Sequence, residues 1–196
     1  MAGILSGKVV LITGAGKGLG RRLTHLCAVY GATVVAVDIT PINLDPVVDE
    51  LRSAGLDVHA MYHDIAKKVD VQAMVINTQS KFTRIDILIN CANVNFPGNI
   101  LDIDEWDLHR IFEVNAIGTL LTIQSVGRVM KHDGGGMIIL AVPKNTKSTA
   151  TYMASRGGFF TLAPALKNEL TPFNIQVHVC GGEDPFEEIS KLLQLA

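Results

Sequence analysis

The chain has 196 residues, of which 48% are apolar and 18% are charged, and this composition predicts a well-buried globular protein. The formal net charge is −2 at neutral pH. That balance excludes the broad basic surface that binding to nucleic acid or to an anionic membrane would require.

Cysteine usage and the N-terminus indicate a cytoplasmic protein with no membrane partner. The three cysteines are widely spaced without a C-x-x-C pattern, and reduced thiols are typical of the cytoplasm. The opening MAGILSGK is too short and polar for a signal peptide, and no apolar run has the length of a membrane helix. His59 and His63 do not have a spacing that converges on one metal, so we expect no metal site.

Apolar, β-branched runs alternate with helix-like stretches along the whole chain. Strands are expected at 8–13, 32–38, 56–64, 85–90, within 134–142 and at 174–180. Continuous apolar strands separated by helices predict a doubly wound parallel α/β sheet, a Rossmann fold of about six strands with helices on both faces. We expect residues 1–196 to form one such domain.

The expected helices carry recognisable start and stop signals. Asp45 followed by Pro46 predicts an N-cap and first-turn proline, and Gly55 predicts the end of that helix. Further helices are expected at 67–82, at 104–131 with Asp104 as the cap, and at 185–195.

The stretch TGAGKGLG, residues 13–20, lies between the first strand and the first helix. Gly14, Gly18 and Gly20 would let the backbone turn sharply and approach a diphosphate closely. The helix that follows would offer free N–H groups and the positive end of its dipole. A glycine turn without a ligand is the alternative, but a strand before it and a helix after it favour a dinucleotide site.

Asp38 closes the second strand and bears on the choice of cofactor. A carboxylate at this position can accept hydrogen bonds from both hydroxyls of the adenosine ribose and would repel a 2′-phosphate. Ile39 offers no cation to offset that repulsion, whereas Lys17 in the glycine turn could contact a 2′-phosphate. The carboxylate is the more local effect, so we expect NAD rather than NADP.

These motifs resemble those of the short-chain dehydrogenase/reductase family. Its T-G-x-x-x-G-x-G pattern appears in TGAGKGLG, its strand four and N-N-A-G motif in IDILINCAN (85–93), and its active-site asparagine segment in FEVNAIGTLLT (112–122). Its Y-x-x-x-K helix resembles TYMASRGGFF (151–160), with arginine where lysine is usual. The resemblance runs from about residue 4 to about residue 180.

Membership would imply an oxidoreductase that acts with a nicotinamide dinucleotide on a small alcohol or carbonyl compound. In the family, the acid that ends strand three faces the adenine, and Asp64 stands there. The implied cofactor-binding residues are Gly14, Lys17, Gly18, Leu19, Gly20, Asp38, Asp64, Ile65, Asn90 and Ala92.

The resemblance also implies catalytic roles. Tyr152 would exchange a proton with the substrate oxygen, and Asn115 would hold a proton-relay water. Arg156 stands where a lysine binds the nicotinamide ribose and lowers the pKa of the tyrosine. Its charge would still lower that pKa, although a planar guanidinium would not reproduce the contacts of an ammonium group.

Two departures from the family pattern predict impaired catalysis. Val142 and Pro143 stand where a carbonyl-polarising serine is usual, although Thr146 or Ser148 could replace its hydroxyl. Residues 183–196 are expected to form a short helix in place of the usual lid and last strand.

Two functions are therefore compatible with the sequence. One is an impaired NAD(H)-dependent oxidoreductase, and the other is a non-catalytic dinucleotide-binding scaffold or sensor. A homodimer is expected, with a tetramer possible, because the two helices that pair in the family carry more apolar residues than one internal face needs. These residues are Leu120, Leu121, Phe159, Phe160 and Leu162.

Overall fold

The computed structural model describes residues 3–142 and 149–194, and its strands form one parallel sheet. The strands are β1 Val9–Thr13, β2 Thr33–Asp38, β3 Val58–Tyr62, β4 Ile87–Asn90, β5 Gly136–Ala141 and β6 Ile175–Cys180. Their order across the sheet is β3-β2-β1-β4-β5-β6, so the direction of winding reverses between β1 and β4. The predicted six-stranded Rossmann fold is confirmed.

Helices cover both faces of the sheet, which explains why the strands are apolar throughout. They are α1 Gly18–Val29, α2 Pro41–Ser53, α3 Lys68–Phe82, α4 Glu105–Phe112, α5 Thr119–His132, α6 Ala150–Leu170 and α7 Pro185–Leu192. In β1, Val10 and Ile12 pack with α1, α2 and α7, whereas Val9 and Leu11 pack with α3, α5 and α6. Successive strand residues face opposite sides, so both cores need apolar side chains.

The predicted start of α2 is wrong by about one turn. The helix begins at Pro41 with Thr40 as its N-cap, and Pro46 lies inside it. Proline suits the first helical position because its φ is already helical and its missing N–H would have no partner there. The Asp45 carboxylate accepts a hydrogen bond from the Tyr62 hydroxyl instead of capping the helix. The end is as predicted, since Gly55 follows the helix with a φ of +78°.

The region predicted as one helix over 104–131 contains a local widening. The Asp104 carboxylate accepts the Trp106 N–H at 2.8 Å, which confirms the predicted cap. Residues Glu113–Gly118 form a π-helix between α4 and α5, and such widenings are frequent at functional sites. A Cβ on Gly118 would lie 2.9 Å from the carbonyl oxygen of Ile65, so glycine lets this segment approach the loop after β3.

Within residues 3–142 and 149–194, no helix is long and apolar enough to cross a membrane. The same residues contain no group of three histidine, cysteine or acidic side chains that could hold a metal ion. His59 instead lies 2.7 Å from Asp57, and the three cysteines are free and buried.

Candidate active site

The turn after β1 needs glycine because the backbone is crowded on its inner side. Gly14 has a φ of +66°, and a Cβ there would lie 2.7 Å from the backbone nitrogen of Ala92. A Cβ on Gly20 would collide with the carbonyl oxygen of Gly14. Gly18 has a φ of +52° and faces open space. The turn therefore lets a ligand reach the backbone, as a diphosphate would require.

Helix α1 begins directly at this turn. Lys17 is its N-cap residue but its side chain makes no capping hydrogen bond, and the first turn contains no acidic residue. The first N–H groups of the helix and its positive dipole end are therefore available to an anion. The exposed Lys17 side chain adds a positive charge beside the same groove.

Two adjoining pockets lie where the winding of the sheet reverses. The first is lined by Gly14, Val37, Asp38, Ile39, His63, Asp64, Ile65, Ala92, Asn93, Val94, Arg110 and Val114. The second is lined by Gly14, Lys17, Gly18, Leu19, Gly20, Asp38, Asn43, Cys91, Asn93 and Val94. Together they contain every predicted cofactor residue except Asn90. Ligands of open α/β sheets bind at this kind of crevice.

Asp38 closes β2 between the two pockets. Its Oδ2 accepts the Gly16 N–H at 2.9 Å, and its Oδ1 accepts the Ile39 N–H at 2.8 Å. These two bonds fix the orientation of the carboxylate at the pocket wall. Each oxygen retains a second lone pair, so the group can still accept hydrogen bonds from ribose hydroxyls.

Asp64 forms part of the first pocket and is paired with a residue that the sequence did not indicate. Its Oδ1 accepts the Ala66 N–H at 3.0 Å, and its Oδ2 accepts from Arg110 at 2.9 Å. Arg110 lies on α4, so this ion pair joins the two elements that bound the pocket. No local sequence signal identifies it, because the partners are 46 positions apart and meet only in the folded chain.

Asn90 does not line either pocket, and its side chain instead bonds to two buried threonines. Its Oδ1 accepts the Thr13 hydroxyl at 2.7 Å, and its Nδ2 donates to the Thr119 hydroxyl at 2.9 Å. Thr119 in turn donates to the Asn115 carbonyl at 2.8 Å. This buried chain of hydrogen bonds ties β1 and β4 to the π-helical segment.

Asn115 lies in the π-helical segment and is fully buried. Its Nδ2 donates to the Val94 carbonyl at 2.8 Å and to the Ser155 hydroxyl at 3.0 Å, and its Oδ1 accepts the Val94 N–H at 2.8 Å. Ser155 donates to the Tyr152 carbonyl at 2.8 Å. Asn115 therefore fixes both the loop after β4 and the helix that bears Tyr152, which leaves only its oxygens to receive a water.

Arg156 lies one turn after Tyr152 on α6 and is only 1% exposed. Its Nη2 donates to the carbonyl of Ala141 at the end of β5, and its Nη1 lies 3.4 Å from the Thr119 hydroxyl. Its Nε has no hydrogen-bond partner among the described residues. The guanidinium is therefore buried and bound to the end of β5.

The expected lowering of the Tyr152 pKa by Arg156 is outweighed by burial. Tyr152 is 4% exposed, and removal from water raises the pKa of its phenol above the ordinary value. The charge of Arg156 opposes that rise but does not cancel it. Tyr152 therefore stays protonated at neutral pH.

Val142 follows β5 and is buried in the core that α3, α5 and α6 cover. Its N–H donates to the Cys180 carbonyl at 2.8 Å, so the backbone here continues the sheet pairing with β6. An apolar side chain thus occupies the first position at which a serine was sought. Pro143, Thr146 and Ser148 lie outside the described residues.

Residues 8–182 match the short chain dehydrogenase family. An uncharacterized oxidoreductase of Methylorubrum extorquens is 31% identical over 178 residues, which cover 89% of this chain and 72% of that protein.

Solved structures show the same similarity. A 7α-hydroxysteroid dehydrogenase in complex with NADH and 7-oxo glycochenodeoxycholic acid is 30% identical, with a TM-score of 0.82 over 89% of this chain and 70% of that one. A metagenomic short-chain oxidoreductase in complex with NADP has a TM-score of 0.89 over 98% of this chain and 93% of that one, at 24% identity. With the family match over most of its length, the chain belongs to the short-chain dehydrogenase/reductase family of oxidoreductases, which bind nicotinamide dinucleotides.

Proposed function

We propose that this protein is an NAD(H)-binding oxidoreductase that acts slowly on a small alcohol or carbonyl compound. The observation that supports the proposal is the pair of pockets around Gly14, Asp38 and Asp64, whose lining offers groups that a dinucleotide could bind. The glycine turn would accommodate a diphosphate, and the Asp38 and Asp64 carboxylates would accept hydrogen bonds from a ribose and a base. When bound, the nicotinamide supplies hydride exchange with the substrate carbon.

NAD is favoured over NADP because Asp38 is held in place. Its two backbone hydrogen bonds prevent the carboxylate from turning away from a 2′-phosphate. Ile39 lines the same pocket without a charge. The positive charge of Lys17 opposes this preference, but its side chain is exposed to solvent, which weakens its attraction for a phosphate.

Tyr152, Arg156 and Asn115 are assigned to the catalytic machinery. The Tyr152 hydroxyl would give a proton to the substrate oxygen during carbonyl reduction and take it back during oxidation. Arg156 would favour the ionised phenol electrostatically, since its charge opposes the effect of burial. Asn115 would position Tyr152 through Ser155 and would receive a relay water at its oxygens.

Turnover is expected to be weak for two reasons. Negative charge develops on the substrate oxygen, and the loss of one hydrogen-bond donor aimed at such an oxygen typically costs a hundred- to a thousandfold in rate. Val142 supplies no such donor. The raised pKa of Tyr152 also limits the ionised fraction that alcohol oxidation requires.

A homodimer is proposed from the apolar surface of α5 and α6. Leu120 is 43% exposed and Phe160 is 41% exposed. Leu121 and Leu162 are partly buried against the core, and the predicted contribution of Phe159 is wrong because that side chain is buried. The dimer therefore rests on fewer residues than the sequence indicated, and light scattering at micromolar concentration tests it. A monomer would contradict it.

A single cytoplasmic domain is proposed for the chain, in keeping with its one sheet and its three free thiols. The test of the function is a panel of alcohols and carbonyl compounds assayed with NAD(H) and NADP(H). Slow turnover that Tyr152→Phe abolishes would support the oxidoreductase. Cofactor binding without any turnover across the panel would instead identify the non-catalytic dinucleotide-binding protein.

A further inference from the structure

A second cluster of titratable side chains lies at the amino end of β3, apart from the two pockets. Asp57 directly precedes β3, His59 belongs to it, and Lys81 lies in the last turn of α3. None of the three lines either pocket. Lys81 is exposed, and 58% of the Asp57 side chain is exposed, so small molecules in solution can reach the cluster.

Hydrogen bonds link the three side chains into one line. Lys81 Nζ lies 2.8 Å from His59 Nδ1, and His59 Nε2 lies 2.7 Å from Asp57 Oδ1. The Thr33 hydroxyl donates to Asp57 Oδ2 at 2.6 Å, which fixes the carboxylate. The histidine is thus held at both ring nitrogens.

The two neighbours of His59 decide which ring nitrogen carries the proton. A carboxylate can only accept a hydrogen bond, and an ammonium group can only donate one. His59 Nε2 therefore carries the proton, and Nδ1 presents its lone pair to Lys81. Burial would raise the pKa of Asp57, but hydrogen bonds from Thr33 and His59 lower it below the ordinary value, so the carboxylate stays ionised.

The Phe82 ring packs against both His59 and Lys81. Its centroid lies 4.8 Å from that of the His59 ring and 5.3 Å from Lys81 Nζ. An ammonium group at that distance is attracted to an aromatic face. These contacts offset the entropy that a surface lysine loses when it is held in one geometry, so the nitrogen stays beside a base.

A carboxylate, a histidine and a nucleophile in line form the arrangement that activates side chains for acyl transfer. Here the third member of the line is an amine. We propose that Lys81 is an acylation site, at which His59 removes a proton and the Lys81 nitrogen attacks an activated acyl compound of the thioester class. Asp57 is the positioning residue, since it acts through His59.

The reaction converts the Lys81 ammonium group into an amide. His59 Nδ1 takes one proton, and the freed lone pair on Lys81 Nζ attacks the carbonyl carbon of the thioester. A carbon–nitrogen bond forms and the carbon–sulfur bond breaks. The second proton lost by the nitrogen goes to the departing sulfur, which leaves as a thiol, and His59 returns its proton to solvent. The modification removes the positive charge of Lys81.

Acetylation of the whole chain by the thioester S-acetyl-N-acetylcysteamine tests this proposal. The probe carries no nucleotide, so the outcome does not depend on cofactor binding. Lys68 is the internal reference, since it is exposed and begins the same helix. Peptide mass spectrometry over a time course should show Lys81 acetylated about tenfold or more faster than Lys68. Rates within about twofold of each other would overturn the proposal.

Two substitutions separate general-base action from simple exposure. His59→Gln keeps a hydrogen-bond acceptor beside Lys81 but removes the base, so the Lys81 rate should fall to about that of Lys68. Asp57→Asn should also lower the Lys81 rate, because an amide can donate to Nε2 and turn the ring proton toward Lys81. An unchanged Lys68 rate shows that each variant is folded. Where His59→Gln does not fold, the exposed Asp57 lets the second variant decide, and an unchanged Lys81 rate in either folded variant would contradict the proposal.

Discussion

The carboxyl edge of the sheet has an open half, formed by the two pockets at the ends of β1, β2 and β3, and a closed half, formed by the ends of β5 and β6 and the part of α6 that carries Tyr152 and Arg156. Both halves are built from the same kind of strand and helix, but their polar groups differ in access to solvent. Around Asp38 and Gly14, polar atoms are fixed by the backbone but keep lone pairs or N–H groups available. Around Tyr152 and Arg156, polar atoms are buried, and Arg156 donates to the Ala141 carbonyl and approaches the Thr119 hydroxyl. Polar groups that are fixed in orientation and open to a ligand favour binding, whereas polar groups that are fixed and buried favour stability of the fold.

The proposed impairment of catalysis would follow from what Arg156 contacts rather than from its charge. Arg156 keeps the positive charge of the family lysine, but its longer side chain reaches the Ala141 carbonyl. The Arg156 guanidinium therefore binds the end of β5, whereas a lysine ammonium at this position could face a ligand. A substitution that preserves charge has thus changed what the charge contacts.

Gly14→Ala should have the largest effect on the open half. The new Cβ would lie 2.7 Å from the Ala92 backbone and would force a positive φ on a non-glycine residue. Binding of NADH should weaken by more than about a hundredfold in calorimetry. Gly7→Ala is the control, because Gly7 has a similar φ of +77° but faces no atom within 4 Å. Retained affinity in Gly14→Ala would contradict the proposed turn.

The pH dependence of alcohol oxidation tests the closed half. In the proposed mechanism oxidation requires the Tyr152 phenolate, and burial raises the pKa of this phenol above its ordinary value of 10.0. The rate at saturating substrate should therefore rise by about tenfold per pH unit through pH 9. Tyr152→Phe should remove the rise. A plateau near neutral pH would mean that Arg156 lowers the pKa of Tyr152 more than burial raises it.

The same residue gives a prediction for stability. Because the pKa of Tyr152 is higher in the folded protein, the folded state binds the proton more tightly. This contribution to the free energy of unfolding is present below pH 10 and is lost as the pH rises above it. Urea unfolding between pH 8 and 11 should show a smaller loss in Tyr152→Phe than in the unmodified chain.

Restoring the missing hydroxyl should accelerate turnover by roughly ten- to a hundredfold. Arg156→Lys alone should not suffice, because it returns the cation without the donor. Combined with Pro143→Ser, it should raise the rate more than either change does alone. Val142→Ser should add less, because the Val142 side chain is buried in the core that α3, α5 and α6 cover. Ordinary rates in the unmodified protein would show instead that Thr146 or Ser148 already supplies the donor.

Asp38→Asn should have a smaller effect, which is a change in the preference between NADH and NADPH. Loss of the negative charge should raise the affinity for NADPH relative to NADH by about tenfold. Lys17→Met should act in the opposite direction, because it removes the cation closest to the turn. The two cofactors are compared by calorimetry for each variant, and an unchanged ratio in Asp38→Asn would show that Asp38 does not set the preference.

The sequence by itself determined the fold, the glycine turn, the position of Asp38 and the family. Strand periodicity and the spacing of the glycines are local patterns that act over a few neighbouring residues. The crowding at Gly14 comes from the Ala92 backbone, so the tertiary structure decides it. The sequence placed the start of α2 wrongly, because Pro41 suits a first helical position as well as Pro46 does and the helix begins at Pro41. The pairing of Arg110 with Asp64 was decided by the tertiary structure.

The state of the proposed catalytic residues also depended on tertiary structure. Tyr152 and Arg156 were identified from the resemblance of TYMASRGGFF to the family's Y-x-x-x-K helix, and that resemblance carried no information on burial. The pKa of Tyr152 follows from a balance between desolvation and a nearby charge, and both depend on which residues cover the helix. The sequence therefore names the chemical groups of this site, and packing decides whether solvent and ligands can reach them.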